Sequence, residues 1–122
     1  MNNSTTVPAM IDFRSSVAAD DSTPAADRVL GGSPTAQVWN HYSDASAQFH
    51  AGTWASSPGR WRISYTEHEF CHLLEGRVVL CSDDGQRWEF GPGDAWVIPA
   101  GFSGTWETIE PARKRYAIFE AR

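Results

Sequence analysis

The chain has 122 residues, a net charge of −5 and a hydrophobic fraction of 41%, which is enough for one domain with a modest core and too little for two. Lys114 is its one lysine, and Arg113-Lys114-Arg115 is too short a basic cluster to bind nucleic acid or an anionic membrane. No apolar run approaches a membrane span, the N-terminus lacks the basic start and apolar core of a signal peptide, and Cys71 and Cys81 fit no zinc or thioredoxin spacing, so the expectation is a cytoplasmic protein with two reduced thiols.

Residues 1–30 are rich in Ser, Thr, Ala, Asp and Asn, and Phe13 is their only aromatic. Such a segment cannot bury enough apolar surface to fold alone. It is expected to be a disordered or extended N-terminal arm, whose patch Ala9–Phe13 could dock on a partner subunit. Gly31-Gly32 marks the entry to a folded domain over residues 31–122. Strands are expected at Ala36–Tyr42, Ala47–Trp54, Arg60–Thr66, Glu69–Leu74, Arg77–Ser82, Gln86–Phe90, Asp94–Ile98, Gly104–Ile109 and Arg113–Phe119. They are separated by turn signals such as Pro58-Gly59, Glu75-Gly76, Asp84-Gly85, Gly91-Pro92-Gly93-Asp94 and Pro99-Ala100-Gly101. No window has a helical period, and this rhythm of short strands argues for an all-β sandwich or closed barrel. Six tryptophans, six phenylalanines and three tyrosines supply bulky, rigid filling.

Glu69 followed by Leu73-Leu74-Glu75-Gly76, and then Gly93, Pro99 and Gly101 at the spacing of a second motif, resembles the two signature motifs of the cupin superfamily. The resemblance covers Gly59 to about Phe119. It implies a cupin-type double-stranded β-helix, a jelly-roll barrel that is usually a homodimer and usually holds a metal on three histidines and a glutamate. Here only Glu69 of those four stands in place. The two histidines of the first motif fall on Arg62 and Ser64, or with a one-residue shorter gap on Ile63 and Tyr65, and that of the second motif falls on Gly104. One carboxylate cannot hold a transition metal tightly, so no metal centre is expected beyond a loosely held divalent ion. Gly52-Thr53-Trp54, Pro58–Arg62, Glu69-Phe70-Cys71, Gly104–Glu107 and Glu110–Lys114 are similar to a subfamily of mostly uncharacterised bacterial cupins. That subfamily is grouped with ureidoglycine aminohydrolases and the ethanolamine-utilisation cupin. The aminohydrolases keep their metal ligands, so their activity does not carry over.

Strand alternation puts Glu69, Cys71 and Leu73 on one side and Phe70, His72 and Leu74 on the other; the resemblance places the Glu69 side inside the barrel. Glu69 is therefore the candidate acid or base. An inward carboxylate needs a cation, and Arg62 on the preceding strand is the expected partner. Cys71 reads as buried packing beside it, and Cys81 as core. His68 and His72 are expected to face away, whereas His41 and His50 could approach the barrel mouth. Trp54, Trp61, Trp96 and Trp106 recur on strands, with Trp106 the favoured pocket wall. Lys114 and Tyr116 share a face: inward, Lys114 would be a second cation for an anionic ligand; outward, the preferred reading, it is a solvated lysine. Ser64 and Tyr65 complete the candidate ligand-binding set of Arg62, Cys71, Trp106, Lys114 and Tyr116. The expected function is binding of a small carboxylate, ureide or amine metabolite. The alternatives are an aminohydrolase-, lyase- or isomerase-like enzyme using Glu69, and a structural dimer with a filled barrel.

Overall fold

The computed structural model describes residues 6–122, which form nine strands and one short 3-10 turn. The strands are β1 (Asp20–Asp21), β2 (Val29–Gly31), β3 (Ala36–Ser43), β4 (Phe49–Ser56), β5 (Gly59–Ser64), β6 (His68–Ser82), β7 (Arg87–Phe90), β8 (Ala95–Ile98) and β9 (Ser103–Phe119). The 3-10 turn, Ala26–Arg28, lies between β1 and β2. Every pairing is antiparallel. The fold is all-β, as the sequence led one to expect.

The long strands β6 and β9 pair along their whole length and form the spine. The first half of β6 carries β8 on its other edge and the second half carries β7. The first half of β9 pairs with β5 and the second with β4, which leads on to β3 and β1. The spine bends in its middle, where the register shifts between Leu73 and Val78. Gly76 makes the bend possible: its φ is +91°, and a side chain there would meet the Pro111 carbonyl and Ala112 Cα. The bend folds the two halves over a core of Trp61, Cys71, Leu73, Val78, Leu80, Ile98, Trp106 and Ala112.

Two features differ from the sequence expectation. The segments expected as separate strands on either side of Glu75-Gly76, and on either side of Glu110-Pro111, are continuous in β6 and β9. A glycine bulge and an outward-facing proline bend the ribbon without ending it. The region before residue 31 also contributes: β1 pairs with β3, and β2, which straddles the expected boundary, pairs with β5. Farther out, Phe13 stacks on His41 at 4.4 Å between ring centroids.

Candidate functional site

The interior floor is built from the inward positions of the spine. Glu69 and Lys114 are both buried, with side chains 6% and 5% exposed, and Lys114 Nζ donates to Glu69 Oε2 at 2.9 Å. The register explains the reach. Glu69 lies opposite Ile118, Cys71 opposite Tyr116 and Leu73 opposite Lys114, so the lysine side chain runs back along the inner face past Cys71 to meet the carboxylate. On the way its Nζ comes within 3.5 Å of Cys71 Sγ. The ammonium also lies 4.8 Å from the Trp54 ring centroid and 4.5 Å from that of Trp106, whose faces attract a cation. Tyr65 closes the group by donating its hydroxyl to Glu69 Oε1 at 2.6 Å. Its loop is held by backbone hydrogen bonds to Phe102 and Gly101.

Lys114 therefore faces inward, not outward as the sequence analysis preferred, and it takes the place given there to Arg62. Arg62 instead donates to both oxygens of Asp83 at 2.9 and 3.2 Å in the turn after β6. The reason is the one-residue register. Trp61 and Ile63 pack on the core, which turns Arg62 and Ser64 to the other side of β5. Tyr65, not Ser64, is the one that meets Glu69. Both Arg62 and Ser64 still border the cavity described next.

A cavity of about 580 Å³ opens onto this floor. Trp54, Trp61, Trp106, Ile63, Val38 and Ile118 give it apolar walls, and Tyr65, Glu69, Lys114 and Tyr116 reach it from the polar floor. Tyr116 donates to Asn40 Oδ1 at 2.7 Å. Asn40 and His50 also line the cavity; His50 does approach the mouth, while His41 is taken up by Phe13 on the outside. His68 accepts a hydrogen bond from the Ala100 N–H and stacks near Phe119, away from Glu69. Trp96 is not a wall: it stacks on Phe90 at 3.9 Å, and its buried indole N–H has no partner among the described residues. Three lining residues, Ser22, Pro24 and Arg28, come from the N-terminal segment. Its polar composition gave no sign of them, because backbone pairing in β1 and β2, not an apolar face, holds it in place.

The electrostatics keep the donors protonated. Burial, reinforced by the Glu69 charge, pushes the Tyr65 phenol well above its ordinary range, so it stays a donor. Burial pushes Tyr116 up to about 12 and the Cys71 thiol up to about 12, with Lys114 pulling the thiol the other way. For Lys114, burial works against the ammonium, and the Glu69 carboxylate 2.9 Å away works for it. At neutral pH the cysteine is a neutral thiol, so Glu69 is the charge that holds the ammonium. The floor is thus an ion pair with a phenol donor, which can orient a ligand or share a proton with it.

The donor set does not fit the metal centre usual for this fold. Both Glu69 oxygens are engaged and an ammonium stands where a cation would sit. A side chain at Gly104, the place of the second-motif histidine, would collide with the Cys81 carbonyl. Among the described residues no three His, Cys, Asp or Glu side chains come together.

The family model of the EutQ-like cupin domain matches residues 43–116. The chain belongs to this cupin family. A solved protein of unknown function from Pseudomonas syringae pv. tomato, of the DUF861 family, is 26% identical with a TM-score of 0.75 over 84% of this chain and 44% of its own. The EutQ protein of Clostridium difficile is 15% identical with a TM-score of 0.64, over 73% of this chain and 65% of its own; at that identity it shows the fold alone. A DUF861 family protein from Thermotoga maritima is 31% identical over 52% of this chain and 73% of its own, with a TM-score of 0.51. The chain therefore spans less than half of the Pseudomonas protein. No curated protein matches it. Among the described residues no helix is long and apolar enough to cross a membrane.

Two outcomes follow from this geometry. A Cys71 pKa raised in the fold means the native state binds more protons than the unfolded chain above the ordinary thiol value. Its contribution is complete below pH 9 and is lost as pH rises towards about 12. Unfolding free energy should fall through this window, and less steeply in Cys71→Ala; an unchanged slope would contradict the burial argument. Protein purified without chelator should carry well under one equivalent of Zn, Mn, Fe, Ni or Cu by elemental analysis. One equivalent that disappears in Glu69→Ala would overturn the reading of the floor.

Proposed function

We propose that this cupin binds a small metabolite in the barrel without a tightly held metal. The observation that carries the proposal is the cavity of about 580 Å³ that reaches the Glu69–Lys114–Tyr65 group between tryptophan walls. That volume is in the range of small-molecule sites, and a few convergent polar groups in apolar walls are their usual make-up. A purely structural barrel would have its interior filled by side chains, and a cavity of this size speaks against it. Binding is favoured over turnover because both oxygens of the candidate acid or base, Glu69, are already engaged, and the lysine beside it is held as a cation. A small carboxylate, ureide or amine is the ligand class that a floor of paired donors and acceptors suits. A homodimer is part of the proposal: Phe70 and Val97, 47% and 58% exposed and opposite one another, give the outer face of β6 and β8 an apolar patch to cover.

A ligand that binds only the folded state raises its melting temperature. Thermal melts against a panel of small carboxylates, ureides and amines should identify stabilising compounds. Their shift should shrink in Glu69→Gln and in Tyr65→Phe, each compared with its own ligand-free melt. A panel in which nothing shifts the melt, or shifts that persist unchanged in both variants, would contradict binding at this floor.

A further inference from the structure

We infer that the ligand carries a single negative charge, bound by Arg28 at the cavity mouth, and a planar apolar body that lies on the tryptophan wall. This rests on the binding reading above and names the ligand class.

The strand order places β1 on one edge of the barrel, against β3, and β2 on the other, against β5. Residues 22–28 run between these two anchors as a strap. Its start is tied down by the Ser22 N–H to the Ala36 carbonyl at 2.8 Å and by Thr23 Oγ1, which accepts from the Ala36 N–H at 3.1 Å. Its end is fixed by the 3-10 turn, in which the Arg28 N–H donates to the Ala25 carbonyl at 2.9 Å, and by Val29 pairing with Trp61. The strap is thus held without the Arg28 side chain, which is left at the cavity.

Three lining residues carry a lysine or arginine charge: Arg28, Arg62 and Lys114. Arg62 is held by Asp83 and Lys114 by Glu69. Among the described residues Arg28 alone of the three has no ion pair and no side-chain hydrogen bond. A buried charge on the ligand would need a free counter-charge at the floor, and the floor pair is already matched, so the ligand's charge belongs at the mouth. One guanidinium matches one carboxylate through a two-point contact. A second negative charge would meet the carboxylate of Glu67, which also lines the cavity. Between mouth and floor, Trp54, Trp61 and Trp106 present indole surface to a flat apolar body.

Calorimetric titration of the full chain with 3-phenylpropionate, its neutral amide 3-phenylpropionamide and phenyl phosphate tests this. The acid should bind about fivefold more tightly than the amide, the size of an exposed ion pair of about 1 kcal/mol. The preference should shrink at high salt and fall to about one in Arg28→Gln, while Arg28→Lys retains part of it. Both variants should melt like the parent, because the Arg28 side chain holds no other residue. Equal binding of acid and amide, or a preference that survives in Arg28→Gln, would overturn the role of Arg28 and leave the binding proposal standing. Tighter binding of phenyl phosphate would overturn the single-charge requirement. Failure of all three probes to bind would overturn this inference, while the binding reading is overturned only if the panel of carboxylates, ureides and amines also leaves the melt unshifted.

Discussion

The buried pair of Glu69 and Lys114 is the constraint on which the interior depends. Two charges that are each about one-twentieth exposed survive only if each satisfies the other. That condition ties β6 to the second half of β9 across one residue pair, Cys71 and Tyr116, which fixes the register of the spine on its inner face. It also determines what packs around it. Trp54 and Trp106 turn their rings towards the ammonium, Tyr65 supplies a hydroxyl to the remaining carboxylate oxygen, and Cys71 stays a neutral thiol in the gap. Replacing one member alone would leave the other charge buried without its partner.

The same pair gives this floor a donor set unlike the metal centre usual for a cupin. A metal centre in this fold concentrates positive charge on an ion and surrounds it with neutral and anionic ligands. Here a side-chain ammonium on β9 supplies the positive charge, and the position that a second-motif histidine would need is blocked by the Cys81 backbone beside Gly104. The cation is therefore covalently fixed and already neutralised. Such a floor can orient a ligand through hydrogen bonds without adding net charge. In the proposed reading, recognition of a charged group falls to the mouth, where the N-terminal strap contributes Ser22, Pro24 and Arg28 to the cavity.

Much of the fold was legible in the sequence, because glycine, proline and aspartate clusters punctuate the strands and period-two alternation assigns faces. Alternation put Glu69 and Cys71 on one face of a strand and the cupin resemblance turned that face inward, where both are buried; Trp106, singled out because it follows the turn at Pro99-Ala100-Gly101, is buried as well. The errors have separate physical origins. Arg62 and Tyr65 lie three residues apart across a one-residue ambiguity, and in a strand a slip of one exchanges the faces. Lys114 was misread because a lone lysine is normally solvated, and only the pairing of β9 with β6 reveals the carboxylate that makes an inward lysine favourable. The strap was invisible for a different reason: backbone hydrogen bonds hold Asp20–Asp21 and Val29–Gly31, and their side chains carry no apolar pattern to betray it.

The central claim is that Glu69 and Lys114 act as one desolvated unit. A double-mutant cycle in urea, with Glu69→Gln, Lys114→Met and the two combined, measures this directly. Each single change should cost about 3–5 kcal/mol, because it leaves the other group buried without its partner. The double variant should lose far less than the sum, giving a coupling well beyond the few tenths of a kcal/mol expected of independent sites. Single losses below about 1 kcal/mol that simply add, as exposed pairs give, would contradict the account.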